Sequence, residues 1–98
     1  KEITVELSTI PEEFSLSQNY PNPFNPTTTI EFSLPNESDV MLKVYNLLGQ
    51  EVATLLSGQM KAGYHKVKFD ASGISSGVYL YKIQAGDFSA VKKLMLLK

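Results

Sequence analysis

The titratable side chains of this sequence are too scattered to predict a catalytic or metal-binding site. His65 is the only histidine, and Asp70, its nearest carboxylate in the sequence, falls on the opposite face of the predicted strand. The one adjacent acidic pair, Glu12-Glu13, lies in a segment without strand periodicity. The chain has no cysteine, which excludes disulfides, zinc–thiolate sites and cysteine nucleophiles. We therefore expect no catalytic residue, no metal and no cofactor, and we interpret His65 as structural.

Glycine and serine patterns give no support for nucleotide binding or acyl transfer. None of the serines occurs in a Gly-x-Ser-x-Gly elbow, and the six glycines form neither Gly-x-Gly-x-x-Gly nor a phosphate loop. Residues 35–39 place several polar oxygens in one turn, for which an ordinary solvated turn is favoured over a calcium site. We predict that the chain is not an enzyme.

Length and charge exclude several classes of binding protein. The chain has 98 residues, enough for one domain, and we expect a monomer. Nine lysines, no arginine and ten acidic residues give a net charge of −1, which argues against nucleic-acid binding. No apolar stretch approaches the ~20 residues that a membrane-spanning helix needs.

Alternation of apolar and polar residues with a period of two recurs along the chain and predicts β-strands. No stretch carries a convincing helical stripe, and residues 57–63 are predicted to form a loop. Strand signals spaced roughly 8–12 residues apart are typical of an antiparallel β-sandwich of the immunoglobulin or fibronectin type. We therefore predict an all-β fold of about seven strands. The predicted strands are 28–34, 39–45, 51–56, 64–70, 77–84 and 88–97, with 3–7 as a candidate seventh.

Tyr79 and Tyr81 share one face of the strongest predicted strand. Two such rings can pack in a core or stack on a sugar, and core packing is favoured. The alternative function is a carbohydrate-binding or spacer β-sandwich module of a multidomain secreted glycosidase, using these rings or Tyr64. The core-facing positions of the other strands are predicted to be Ile30, Phe32, Leu34, Val40, Leu42, Val44, His65, Val67 and Phe69.

The segment from Asn19 to Pro26 contains three prolines within six residues. Proline lacks an N–H donor, so neither a helix nor a central strand can form there. Tyr20 and Phe24 are its only large side chains, and we expect both to hold the segment against the domain. We predict that residues 1–18 form a linker with a candidate edge strand at 3–7 and that residues 19–98 form the sandwich.

Five motifs occur in order along residues 14–98: Leu16–Ile30, Val44–Leu55, Ala62-Gly63-Tyr64-His65 with Phe69-Asp70, Ser76–Ile83 and Lys92–Lys98. Together they resemble the type A C-terminal sorting domain of the bacterial type IX secretion system. The central motifs are also similar to the immunoglobulin-like domain of flagellar hook-capping proteins. Two departures are Asn46, where Asp is commoner, and Lys66 after His65.

The resemblance implies a non-catalytic module that targets an attached, exported protein of a Bacteroidota species to the type IX translocon. The protein would pass through the periplasm to the cell surface or the medium. Its implied partners are the translocon, an upstream cargo domain in the same chain and, in some members, a surface sortase that cuts within residues 7–18. The implied recognition residues are Gly77, Tyr79, Gly86, Lys92, Lys93, Leu97 and Lys98, and the structural signature is Asn19, Tyr20, Pro21, Asn22, Pro23 and Phe24.

The last predicted strand carries four consecutive apolar residues, Leu94-Met95-Leu96-Leu97. One interpretation is that both faces of this strand are buried. The other is that a partner adds a strand to this edge or grips the segment that follows. For the lysines on the strands and near residue 98, a solvated face whose edge lysines block aggregation is favoured over a recognition surface.

Overall fold

The computed structural model describes residues 10–98, which form seven strands in two β-sheets. These residues contain no helix, so the predicted all-β class is confirmed. The candidate strand at 3–7 lies outside the described residues. The strands, numbered in chain order, are β1 (Ser15–Leu16), β2 (Thr27–Leu34), β3 (Ser38–Tyr45), β4 (Glu51–Met60), β5 (Gly63–Asp70), β6 (Gly77–Ala85) and β7 (Phe88–Leu96).

The two sheets have three and four strands. The smaller has the order β1-β2-β5 and the larger the order β4-β3-β6-β7. Every pair of neighbouring strands is antiparallel. The chain changes sheets between β2 and β3, between β4 and β5, and between β5 and β6, so the two sheets fold as one antiparallel β-sandwich, as predicted.

The hydrophobic core lies between the sheets and follows the predicted register. The alternate apolar residues of β2 and β3 all point inward, which confirms the period-two interpretation of both strands. Both sheets contribute aliphatic and aromatic side chains to the core. Its buried residues are Leu16, Phe24, Ile30, Phe32, Leu34, Val40, Leu42, Val44, Phe69, Ala71, Tyr79, Tyr81, Ile83, Ala85, Leu94 and Leu96.

Tyr79 and Tyr81 are core residues, with 7% and 0% of their surface exposed. The favoured interpretation of this pair is therefore confirmed. A sugar-stacking platform built from these two rings is wrong, because neither face is open to a ligand. Among the aromatic residues considered for sugar binding, only Tyr64 is exposed.

The predicted loop at 57–63 is wrong for residues 57–60, because β4 continues to Met60, and for Gly63, where β5 begins. Its distal half pairs with the first residues of β3, including Gly58 opposite Val40 and Met60 opposite Ser38. This pairing provides hydrogen-bond partners for the backbone groups of β3 on the side that faces away from β6. Alternation does not mark this part of the strand because residues 57–59 are small or polar and exposed.

A two-residue strand, β1, lies within residues 1–18, at a position where the sequence pattern predicted no strand. Ser15 pairs with Ser33 and Leu16 with Phe32 at the edge of the smaller sheet. Leu16 is buried, and the hydroxyls of Ser15 and Ser33 are 2.6 Å apart. β1 therefore adds an edge strand and one core residue to the sandwich.

Candidate recognition site

The proline-rich segment lies along the outer edge of β7. β7 is the last strand of the larger sheet, so within residues 10–98 its outer backbone groups face no neighbouring strand. Gln18 Nε2 donates to the Lys93 carbonyl at 2.7 Å, and Asn22 Oδ1 accepts from the Met95 N–H at 2.9 Å. Two side chains of the segment thus satisfy backbone groups of the strand.

The main chain of the segment completes the closure of this edge. The Phe24 N–H donates to the Met95 carbonyl, and the Leu97 N–H donates to the Phe24 carbonyl, each at 3.0 Å. Phe24 and Leu96 form a parallel β-bridge. We call residues 18–24 together with residues 93–97 the edge junction. It joins the first and last of the five sequence motifs, which are far apart in the chain.

Phe24 fixes the segment in place. Its side chain is 2% exposed, and its ring centroid lies 6.1 Å from that of Phe69 in β5. The expectation that Phe24 holds the segment against the domain is confirmed. The same expectation for Tyr20 is wrong, since its ring is 80% exposed. Tyr20 contributes through its main chain, which exchanges two hydrogen bonds with Thr29 at 2.9 Å each.

A buried polar network shapes the turn before Phe24. The Asn19 amide donates to Thr28 Oγ1 at 3.0 Å and to the Pro21 carbonyl at 3.2 Å. The Thr28 hydroxyl in turn donates to the same carbonyl at 2.8 Å. Asn19 and Thr28 are each 2% exposed, so these bonds replace the water that both side chains lose. Thr28 was not predicted as part of the site, although a polar residue in the inward register of β2 is a usable signal.

The two core tyrosines tie loops to the larger sheet through their hydroxyls. Tyr81 donates to the Ser17 carbonyl and Tyr79 to the Ser75 carbonyl, both at 2.6 Å. Burial raises the pKa of Tyr81 to about 12, so its phenol stays protonated as a donor at neutral pH. Tyr79 therefore acts within the fold by holding the loop before β6.

The two predicted recognition glycines lie at opposite ends of the β6–β7 hairpin. Gly77 opens β6 opposite Leu96 and has a φ of +153°. Gly86 lies in the turn between the strands with a φ of +58°, which is costly for residues with a Cβ. The structure thus brings Gly77 close to the edge junction and keeps Gly86 away from it.

The predicted lysines differ in their surroundings. Lys93 is exposed, whereas Lys92 is half-buried in the inward register of β7, opposite Tyr81. Lys98 is exposed but tethered: its N–H donates to Ser76 Oγ at 3.0 Å, and its Nζ donates to the Ser72 carbonyl at 2.9 Å. Lys93 and Lys98 are accordingly the cations that a partner at this end can reach.

The last strand buries one face only. Leu94 and Leu96 are 0% exposed, whereas Met95 and Leu97 are 37% and 53% exposed. The interpretation that both faces are buried is therefore wrong. Strand addition along the second half of β7 would have to displace the proline-rich segment, because that segment already occupies the edge.

The described surface offers shallow, open depressions. One of about 590 Å³ lies between residues 10–15 and Tyr64. No group of three or more His, Cys, Asp or Glu side chains within residues 10–98 is arranged to hold a metal. His65 stacks on Phe32 at a centroid distance of 5.2 Å, and its Nε2 lies 2.8 Å from the Lys61 carbonyl. Among the described residues, no helix has the length and apolarity to span a membrane.

Comparison with known proteins identifies a similar fold and a matching family. Curated proteins give no match. The fold is similar to part of PorZ, described as an essential bacterial surface component of the type IX secretion system of Porphyromonas gingivalis. The TM-score is 0.55 at 21% identity, covering 87% of this chain and 11% of that one. The profile of the secretion system C-terminal sorting domain matches residues 18–97, a span that begins and ends within the edge junction. The chain therefore belongs to the family of type IX secretion system C-terminal sorting domains.

Proposed function

We propose that this chain is the export signal of a larger secreted protein and that the type IX translocon reads its exterior at the outer membrane. Family membership supports targeting to the type IX secretion system, and so export to the surface or the medium. Sorting domains are in general non-catalytic, so any enzymatic or adhesive activity would belong to an attached cargo domain. The route through the periplasm is part of the proposal.

The edge junction is the observation that carries this proposal. A domain whose surface has only shallow depressions binds a protein partner through its exposed surface. The edge junction brings the first and the last of the five family motifs together at one edge of the sandwich. We assign Lys93, Leu97 and Lys98 to contact with the translocon because they are exposed there. Gly77, Tyr79 and Gly86 shape the hairpin that presents them. Lys92 lies against the core edge and supports the strand.

Deletion of residues 92–98 from the full chain, fused behind a folded reporter, tests the proposal in a bacterium with a type IX system. We expect the reporter to be retained in the cell. Because the deletion also removes the core residues Leu94 and Leu96, Leu97→Ser combined with Lys93→Glu serves as the milder variant. Lys68→Glu, on an exposed position of β5, is the control. Normal secretion of the deletion variant would rule out the proposal.

We further propose that a sortase cuts this chain and anchors the exported protein at the cell surface. Two hydrogen bonds limit where within residues 7–18 the cut can fall. The Glu13 carbonyl accepts from Ser33 Oγ at 2.8 Å, and the Ser17 N–H donates to the Glu31 carbonyl at 2.9 Å. A protease needs extended and unpaired backbone. We therefore place the cut before Glu13 within the window 7–18.

The mass and the new terminus of the exported protein test this step. Loss of about 10 kDa, a value set by residue count, would show removal of the domain. The N-terminal residue of the released domain is expected at or before Glu13. A released domain that starts after Ser17 would contradict the assignment, because it would lack β1.

A further inference from the structure

The outer faces of the two sheets differ sharply in polarity. On the smaller sheet, β2 and β5 present Thr29, Glu31, Lys66 and Lys68, and Glu31 lies 3.9 Å from the Lys66 amine. On the larger sheet, most outward positions near the end of β3 and the start of β6 are apolar. Large contiguous apolar patches are uncommon on the surfaces of soluble monomers, and where they occur they mark interaction sites.

The strand register places these apolar side chains side by side. Tyr45 is opposite Leu80 across β3 and β6, and Val78 is opposite Met95 across β6 and β7. Directly opposed residues have Cβ atoms about 5 Å apart, so the four form a continuous area. We call Tyr45, Val78, Leu80 and Met95 the outer apolar patch. Each is partly exposed, with Met95 at 37%.

Exposed leucines extend the patch at the same end of the sheet. Leu97, which continues the register of β7, is 53% exposed. The turn after β3 carries Leu47 and Leu48 at 66% and 83% exposure. The Asn46 side chain fixes this turn by accepting from the backbone N–H groups of Leu48 and Gln50 at 2.9 and 3.0 Å. The two leucines are therefore held outward by an ordered turn.

Cations border the patch. Lys93 is opposite Leu80, and Lys82 is opposite both Lys43 and Val91. Lys43 forms an ion pair with Glu51 at 3.1 Å. Within residues 10–98, Lys82 and Lys93 have no carboxylate within 4.0 Å. Within the described part of the chain, the face therefore offers apolar contact area bordered by two lysines that form no ion pair there.

We propose that this face of the larger sheet docks onto a protein surface of the secretion machinery that carries apolar side chains bordered by Asp or Glu. The proposal rests on the proposed export function and names the partner's chemistry. Apolar cores with polar, charge-complementary rims are typical of specific protein interfaces. Lys82 and Lys93 select for carboxylates on the partner.

The charges on this face argue against two other partners, a second copy of the chain and an anionic membrane. A second copy packed face to face would bring Lys43, Lys82 and Lys93 of both chains together, and like-charge juxtaposition is unfavourable. Anionic membranes are recognised by clusters of roughly 4–8 basic residues, whereas this chain has a net charge of −1. A protein partner with carboxylates fits the observed charges best.

Secretion of a reporter fused to the full chain tests the surface. The variants are Leu80→Ser and Lys82→Glu, which leave Lys93, Leu97 and Lys98 unchanged. The matched control is Lys68→Glu on the opposite face. Lys82→Glu places a carboxylate opposite Lys43, so we expect it to fold, and circular dichroism checks both variants. We expect each variant to lower the secreted fraction by about tenfold, the equivalent of 1.4 kcal/mol, and the control to stay within about twofold of the unaltered chain.

The outcomes separate the two proposals. If the unaltered chain exports the reporter and both outer-face variants do so equally well, the docking face is wrong and the export function stands. If the unaltered chain fails to export the reporter, both proposals fail. Dimerisation of the purified chain that Leu80→Ser abolishes would overturn the docking proposal in favour of a second copy. Binding to vesicles of phosphatidylcholine and phosphatidylglycerol that Lys82→Glu abolishes would overturn it in favour of a membrane.

Discussion

Phe24→Ala is expected to destabilise the whole domain, although Phe24 lies outside every named strand. Its side chain is 2% exposed and contacts Phe69, and its main chain makes two of the hydrogen bonds that close the β7 edge. Truncation of a buried phenylalanine costs about 3–5 kcal/mol. A domain of this size has a free energy of unfolding of about 5–15 kcal/mol, so the substitution removes a large part of it.

Urea unfolding followed by far-UV circular dichroism measures this loss directly. With a denaturant slope of about 1–3 kcal/mol per molar, the midpoint should fall by more than about 1 M. Heating should show a melting temperature lower by about 12–40 °C, at roughly 4–8 °C per kcal/mol. Tyr20→Ala is the matched control, since its ring is 80% exposed, and it should change stability by at most about 0.5 kcal/mol. Equal midpoints for the two variants would refute the assignment of Phe24 as the anchor.

Three further predictions concern single interactions. Asn22→Ala removes the acceptor of an N–H in β7, so it should cost about 0.5–1.5 kcal/mol and speed hydrogen exchange of that amide, whereas Asn25→Ala should not. Gly86→Ala must adopt a φ of +58°, so its melting temperature should fall, while Gly73→Ala, at a position without this constraint, should stay near that of the unaltered chain. Burial raises the pKa of Tyr81 to about 12, above about 10 in the unfolded chain, so the stability from its neutral phenol is complete below about pH 10 and is lost as pH rises towards 12. Melting temperatures across this range should fall more steeply for the unaltered chain than for Tyr81→Phe, and parallel curves would contradict the assignment.

Period-two patterning predicted the fold well because the sandwich buries one face of each strand. β2 and β3 bury every residue that alternation assigned to the core. The pattern fails where a strand lies at an edge and carries small or polar residues, as in the second half of β4. There the backbone of β3 determines the structure, and side-chain pattern carries no information about it.

The sequence indicated the two segments of the edge junction but not the contact between them. The proline-rich segment and the last strand each stood out in the sequence, but their contact depends on backbone groups and on Gln18 and Asn22. Side-chain-to-backbone bonds of this kind leave no periodic signal. Tyr20 and Phe24 are both aromatic, so residue type does not indicate that Phe24 is buried and Tyr20 exposed.

Export of a reporter by the full chain can be compared in paired strains with and without a functional type IX translocon. The measured quantity is the fraction of reporter found on the cell surface and in the medium. We expect efficient export in the competent strain and retention inside the translocon-deficient one. Equal export from both strains would contradict the assignment of this chain as a type IX sorting signal.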